Sequence, residues 1–69
     1  MKLKDLLEVL RDNAKIYSWN TMKELGEFNV GYMEILNENM QPLSNARNLE
    51  EKRVVVVRHY NDTMIIFIK

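Results

Sequence analysis

The sequence predicts a single α+β domain, in which an N-terminal helix packs on one face of a small, mainly antiparallel sheet that ends in a C-terminal β-hairpin. Two observations predict this fold: leucines at helical spacing near the N-terminus, and two strand-forming runs separated by two turn residues near the C-terminus. The 69 residues are 46% hydrophobic and 29% charged, which is a globular composition with room for one domain spanning 1–69.

The N-terminal helix is predicted from a single apolar stripe. Its members recur at intervals of three and four residues and are Leu3, Leu6, Leu7, Leu10 and Ala14. Charged residues occupy most of the remaining positions, which is typical of an amphipathic helix lying on an apolar surface. Asn13 is predicted to end the helix, because asparagine tolerates the left-handed conformation found at helix C-termini.

Two strands are predicted in the middle of the chain. Residues 15–20 and 28–36 are both rich in aromatic and β-branched side chains, and Gly31 in the second run suggests a β-bulge. The segment between the two runs has two interpretations. It forms either a helical turn with a capping box that begins at Thr21, or a hairpin turn at 25–26, which is the preferred interpretation.

Residues 37–52 are polar and contain four asparagines and the only proline. Asparagine and proline compete with regular structure through local hydrogen bonds and ring constraint. We therefore expect a long loop in this segment, or a short helical turn near 45–51.

The C-terminal hairpin has the strongest pattern. A two-residue loop at Asn61-Asp62 predicts a turn in which both residues are left-handed, and it pairs residues from Tyr60 with Thr63 to Val55 with Ile68. Side chains alternate along each strand, so one set is expected to face the core. That set is Val55, Val57, His59, Met64, Ile66 and Ile68. The opposite set has no predicted cover within the chain and comprises Val56, Arg58, Tyr60, Thr63, Ile65 and Phe67.

Few residues could support catalysis, so the chain is predicted not to be an enzyme and to hold neither a metal nor a cofactor. His59 is the single histidine and there is no cysteine, which disfavours a zinc or iron site and a nucleophile–base pair. Gly26 and Gly31 do not match a phosphate-binding loop. The four glutamates between residues 24 and 38 lack the spacing of a calcium loop and predict a solvated acidic surface.

Partner binding is predicted instead, through aromatic and aliphatic side chains and one arginine. The candidate residues are Tyr17, Trp19, Tyr32, Val56, Arg58, Tyr60, Ile65 and Phe67. Tryptophan, tyrosine and arginine dominate binding hot spots, and an exposed apolar patch usually marks a contact site. The alternative is that Trp19 and Phe67 fill the core.

The charge pattern bears on the class of partner. The net charge is zero, which argues against binding nucleic acid through many phosphates. Residues 20–45 carry one lysine and four glutamates, a net charge of −3, whereas residues 46–69 carry five basic and three acidic residues, a net charge of +2. Opposite patches can orient a partner or a second copy of the chain. Two alternatives to a module that binds another protein remain. One is a homo-oligomer that buries either the uncovered face of the hairpin or the edge of the last strand, 63–69, against a second copy. The other is a small single-stranded nucleic-acid-binding protein.

The expected location is the cytoplasm, with no membrane contact. No apolar run approaches the ~20 residues that span a bilayer. Charges at Glu8, Arg11 and Asp12 interrupt any apolar stretch that could act as a signal peptide.

The first 17 residues contain Met-Lys-Leu-Lys-Asp-Leu-Leu-Glu-Val-Leu followed by Lys-Ile-Tyr, and the last 17 end in Ile-Ile-Phe-Ile-Lys. These two segments resemble the small proteins encoded by bacteriophages and mobile elements of Gram-positive bacteria, although they include no diagnostic motif. Some such proteins block host defence systems, such as CRISPR nucleases, by stoichiometric binding. The resemblance therefore implies an inhibitor or adaptor that binds a host protein, and it assigns no functional residue.

Overall fold

The computed structural model describes residues 1–69 and contains one five-stranded sheet and two short helices. In chain order the elements are α1 (Leu3–Leu7), β1 (Ala14–Ser18), β2 (Glu24–Asn29), β3 (Glu34–Leu36), α2 (Ala46–Glu50), β4 (Val54–Tyr60) and β5 (Thr63–Ile68). The order of strands across the sheet is β3-β2-β1-β5-β4. The predicted α+β class, with its N-terminal helix and C-terminal hairpin, is confirmed. Neither helix has the length and apolar character needed to cross a lipid bilayer.

The two helices and one face of the sheet enclose a single core. Its ten buried members are Leu3, Leu7, Leu10, Ala14, Ile16, Phe28, Ile35, Leu49, Ile66 and Ile68. Leucines from the predicted N-terminal stripe therefore pack against Ile66 and Ile68 of the C-terminal hairpin, as expected. Because both helices contribute to this one cluster, they lie on the same side of the sheet.

The sheet is mixed, so the prediction of a mainly antiparallel sheet is wrong. β1 pairs with β2 in antiparallel orientation and with β5 in parallel orientation. The parallel pair places Ile16 beside Ile66, and both residues are fully buried at the centre of the sheet. Alternation of side chains predicts which residues of a strand point inwards, but it does not specify which strands become neighbours.

Helix α1 ends at Leu7 and is shorter than its apolar stripe predicts. At its start, the carboxylate of Asp5 accepts a hydrogen bond from the backbone N–H of Lys2 at 3.3 Å. Asn13 does not end the helix, since its Oδ1 atom instead accepts a hydrogen bond from the N–H of Val30 at 2.8 Å. Ala14 is already the first residue of β1, so the chain must leave the helix earlier to enter the sheet.

Both interpretations of the segment before Gly26 are wrong. The turn between β1 and β2 lies at 19–21, and residues 25–26 are part of β2. The predicted strand at 28–36 is divided by a turn at 30–33 that joins β2 to β3. Gly31 belongs to this turn and forms no bulge. Gly26 lies opposite Ile16 in the sheet.

Residues 37–52 contain the expected short helical turn, which is α2. Leu49 anchors this helix in the core. The loop before it runs beside β3, because the N–H of Leu43 donates to the carbonyl of Ile35 at 2.9 Å. The side chain of Asn37 accepts hydrogen bonds from two backbone N–H groups of the loop, at 2.9 and 3.0 Å, which organises the turn locally.

The C-terminal hairpin has the predicted turn. Asn61 and Asp62 have φ values of 48° and 66°, both left-handed. Pairing from Tyr60–Thr63 to Val56–Phe67 follows the predicted register. The register then shifts, so that Val54 pairs with Ile68. The predicted pairing of Val55 with Ile68 is therefore wrong.

Strand β4 lies at an edge of the sheet and β5 is internal. The prediction that the last strand forms an edge is therefore wrong. Val55 and Val57 are 39% and 43% exposed, and His59 is also exposed, so their assignment to the core is wrong. The reason is that the core is centred on β1 and β5, and β4 reaches it mainly through Val54.

The N-terminal residues protect the start of the β4 edge. The carbonyl of Met1 accepts a hydrogen bond from the N–H of Val54 at 2.9 Å. Nearby, Lys2 Nζ and Lys4 Nζ lie 2.7 and 3.1 Å from the two carboxylate oxygens of Glu51. Hydrogen bonds from Lys2 and then Lys4 hold the pKa of Glu51 below its ordinary value. The same contact raises the pKa of Lys4.

Candidate functional site

The side of the sheet opposite the helices forms the candidate site. Its side chains come from alternate positions of four strands and are Lys15, Tyr17, Glu24, Glu27, Val56, Arg58, Tyr60, Ile65 and Phe67. We call this set, together with Trp19 at the end of β1, the open face. Most of its members are half-buried by their neighbours in the sheet and remain accessible from the helix-free side.

Three aromatic rings form the centre of the open face. The centroid of Phe67 lies 5.6 Å from that of Tyr17 and 5.7 Å from that of Trp19. The ring of Trp19 meets Phe67 edge-on, at an interplanar angle of 85°, and the ring of Tyr17 is tilted by 42°. Such pairs contribute about 0.5–1.5 kcal/mol beyond area burial. The cluster therefore holds its rings in defined positions on the surface.

Parallel pairing of β1 with β5 produces this cluster. It places Tyr17 directly beside Phe67, although the two are far apart in sequence. Val56 lies opposite Phe67 on the other side and extends the apolar surface to the sheet edge. The N–H of Trp19 donates to the carbonyl of Ile68 at 2.8 Å, which continues the pairing beyond the end of β1 and fixes the backbone that carries the indole.

Charged side chains flank the aromatic cluster. Glu27 of β2 pairs with Lys15 of β1, and Arg58 of β4 pairs with Ile65 of β5. Glu24 pairs with Tyr17. The acidic groups of the open face thus lie on β2, and the basic groups lie on β1 and β4. A surface with this order of charges can orient the molecule that it binds.

Most of the sequence-predicted binding residues come together. Paired positions and ring contacts link Tyr17, Trp19 and Val56 to Phe67. Ile65 lies on the same face of β5, two residues before Phe67. Trp19 is 37% exposed, so it does not fill the core. Phe67 is half-buried and lies outside the core cluster.

The three remaining predicted residues have different positions. Arg58 borders the patch, and Tyr60 lies on the same face at the end of the hairpin, where it is 67% exposed. Tyr32 is not part of the open face. It is 66% exposed in the turn between β2 and β3, which lies on the far side of the sheet from β5.

Sequence reasoning missed Lys15, Glu24 and Glu27. Lys15 could have been found, since it precedes Tyr17 by two residues in the same predicted strand and must share its face. The two glutamates could not, because the sequence predicts a turn at 25–26 and a strand that begins only at residue 28, whereas both glutamates belong to β2. The register shift between Ile16 and Tyr17 then brings Glu24 opposite Tyr17. The open face therefore carries more charge than the sequence indicates.

The acidic side of the open face continues into a shallow cleft. Three glutamates, Glu24, Glu27 and Glu38, line it together with the apolar side chains of Leu25, Leu36 and Met40. The structure contains no group of three or more histidine, aspartate or glutamate side chains placed to bind one metal ion. The cleft therefore offers negative charge beside apolar surface, which suits a basic side chain with a long aliphatic stem.

We compared the chain with models of known protein families, with curated proteins and with solved structures, and found no significant match.

Proposed function

We propose that this chain is a non-enzymatic protein-binding module and that the open face is its binding surface. One observation carries the proposal: Tyr17, Phe67 and Trp19 form a connected aromatic cluster on the side of the sheet that neither helix covers. Aromatic rings held in place by neighbouring side chains bind with little loss of conformational freedom.

The composition of the open face supports protein as the partner. Aromatic residues and arginine are enriched in the centres of protein interfaces, and charged residues are found at their rims. Here the aromatic cluster is central, with Arg58 on one side and Glu24 on the other. These side chains are of the types that protein interfaces use, which favours binding.

The resemblance to proteins of phages and mobile elements of Gram-positive bacteria guides the choice of a first partner. We propose a host protein in the cytoplasm that this chain inhibits or links to another protein by stoichiometric binding. A complex of that kind needs a compact surface rather than a deep pocket, and the open face supplies such a surface.

Capture experiments with matched variants test the proposal. A tagged chain is incubated with nuclease-treated lysate of a Gram-positive host, and bound proteins are identified by mass spectrometry. We expect one protein in stoichiometric amount on the wild-type chain and its loss with Phe67→Asp and Trp19→Ala. Tyr32→Ala is the control, because it removes an exposed aromatic ring that lies outside the open face.

Circular dichroism shows whether each variant folds before its binding is compared. Retention of the captured protein by folded Phe67→Asp and Trp19→Ala chains would show that the open face is not the binding surface. If the wild-type chain captures neither a host protein nor a copy of itself, the protein-binding function is rejected.

A single-stranded nucleic acid is the second candidate ligand, and the same aromatic cluster favours it. Bases stack on exposed aromatic rings of sheets, and Lys15 and Arg58 could neutralise phosphates. Glu24 and Glu27 on the same face oppose this. Titration of Trp19 fluorescence with an oligonucleotide distinguishes the two, since stacking quenches the indole and the effect weakens with salt.

A further inference from the structure

The charges of the open face are ordered across the strands. One row of paired residues runs from Glu27 on β2 through Lys15 and Ile65 to Arg58 on β4. Its acidic and basic ends are three strand spacings apart, about 14 Å. The next row runs from Glu24 through Tyr17 and Phe67 to Val56. Both rows begin with an acidic residue on β2. On β4 the first row ends with the basic Arg58 and the second with the aliphatic Val56.

We propose that the open face binds a second copy of this chain about a two-fold axis that lies between β1 and β5 and runs parallel to them. The proposal rests on the protein-binding function proposed above and names the partner of that same face. Rotation about this axis places β2 of one copy over β4 of the other. Glu27 then meets Arg58 of the second copy, and the contact occurs twice. Tyr17 meets Phe67 of the second copy at the centre.

The direction of the axis follows from charge. A two-fold axis in the same plane but perpendicular to the strands would place β2 of one copy over β2 of the other. The glutamates Glu24 and Glu27 of one copy would then face the same two glutamates of the second copy. Like charges placed opposite each other across an interface cost several kcal/mol. The axis parallel to the strands avoids this repulsion and pairs opposite charges instead.

Glu27 and Arg58 are available for contacts between copies. The two ion pairs within the chain both use Glu51, which lies beyond α2 and away from the open face. Glu27 is half-buried beside Lys15, and Arg58 is exposed on the edge strand. Pairing between copies would therefore add interactions without breaking an ion pair of the monomer.

The size of the open face suits a dimer. A standard interface buries about 800 Å² on each partner. The accessible surface of this chain is 5007 Å², and the molecule measures 26 × 24 × 21 Å, so each of its sides contributes a similar share. One sixth of the accessible surface is therefore close to the area that each partner buries in a standard interface. Two sheets packed in this way cross at about −30°, as in β-sandwiches.

Exchange of charges tests the axis directly. Sedimentation velocity from micromolar to millimolar protein is measured for the wild-type chain, for Glu27→Lys, for Arg58→Glu, and for an equimolar mixture of the two variants. The wild-type chain is expected to dimerise, and each variant alone to associate at least about tenfold more weakly. The mixture is expected to dimerise again, because both contacts between positions 27 and 58 then join opposite charges when a Glu27→Lys chain meets an Arg58→Glu chain.

Matched controls separate this effect from a change in net charge. Glu8→Lys and Arg47→Glu alter the charge equally at exposed positions on the two helices' side of the molecule, and both should dimerise as the wild-type chain does. Circular dichroism establishes that every variant is folded. Dimerisation of the charge-exchange mixture no stronger than that of either variant alone would overturn the proposed axis.

The proposal and the protein-binding function fail in different ways. A wild-type chain that stays monomeric up to millimolar concentration overturns the dimer. In that case, loss of a captured host protein in Phe67→Asp would still support the open face as a binding surface. If both the dimer and a host complex form, the host protein must compete with the second copy, and adding it should dissociate the dimer.

Discussion

A Cβ atom built on Gly26 would lie 2.9 Å from Cγ2 of Ile35. The same atom would lie 3.1 Å from the carbonyl oxygen of Leu36 and 3.2 Å from Cδ2 of Leu43. Gly26 therefore permits the close approach of β2, β3 and the following loop. The contact with backbone matters most, because a carbonyl in a paired strand cannot move aside as a flexible side chain can.

We predict that Gly26→Ala destabilises the fold by about 1–3 kcal/mol, as overpacking of a core does. Gly31→Ala is the matched control, because its Cβ would approach only the side-chain oxygen of Asn29, at 3.1 Å in an exposed turn. Urea unfolding of both variants measures the difference. Equal stability of the two variants would contradict the close packing of Gly26 against β3.

Because β4 is an edge strand, truncating two residues that are paired with each other should reduce the stability of the fold by different amounts. Val57 pairs with Ile66, yet Val57 is 43% exposed and Ile66 is fully buried. Ile66→Ala should cost about 2–5 kcal/mol, whereas Val57→Ala should cost much less, within about 1 kcal/mol. Thermal and urea unfolding test this. A large loss in Val57→Ala would contradict the exposed position of this valine on the edge strand.

The hairpin turn predicts a stabilising substitution. Asp62 has a φ of 66°, a left-handed conformation in which an L side chain is strained. Asp62→Gly removes this strain and creates the Asn-Gly pair preferred in such turns, so stability should rise by up to about 1 kcal/mol. Asp62→Ala is the control, because it removes the charge and keeps the Cβ atom. If the alanine variant gains as much as the glycine variant, backbone strain is not the cause.

The contact of Glu51 with Lys2 and Lys4 predicts pH-dependent stability. The folded-state pKa of Glu51 lies below its ordinary value of 4.5, mainly through the hydrogen bond from Lys2. The stability that ionised Glu51 contributes is therefore complete above pH 4.5 and is lost as the pH falls through the lower, folded-state pKa. The pKa of Lys4 is raised above 10.5, so the contribution of Lys4 is lost only in strong alkali.

Glu51→Gln should lower the melting temperature slightly near neutral pH and have no effect in acid. The difference should also vanish at about 1 M salt, where the Debye length is about 3 Å. Glu38→Gln serves as the control, since Glu38 forms no ion pair. A difference between Glu51→Gln and the wild-type chain that persists at high salt would indicate lost packing instead of lost charge.

The sequence by itself determined the local parts of this protein. Asn61-Asp62 specifies a two-residue turn, and that turn alone sets five residue pairs from Tyr60–Thr63 to Val56–Phe67. The leucine spacing identifies which N-terminal side chains reach the core, and the polar segment contains the short helix expected of it. These features depend on residues close together in the chain, where pattern and structure are directly linked.

Only the tertiary structure decided how these parts are joined. Parallel pairing of β1 with β5 brings Tyr17 beside Phe67, and no periodic pattern specifies that neighbour. The same pairing makes β4 the edge, which exposes Val57 despite its apolar surroundings in sequence. The physical reason is that alternation assigns a side chain to a face of its own strand. Whether the side chain is buried depends on which other segment packs on that face. Contacts between segments that are distant in sequence determine this, and they leave the open face without a covering helix.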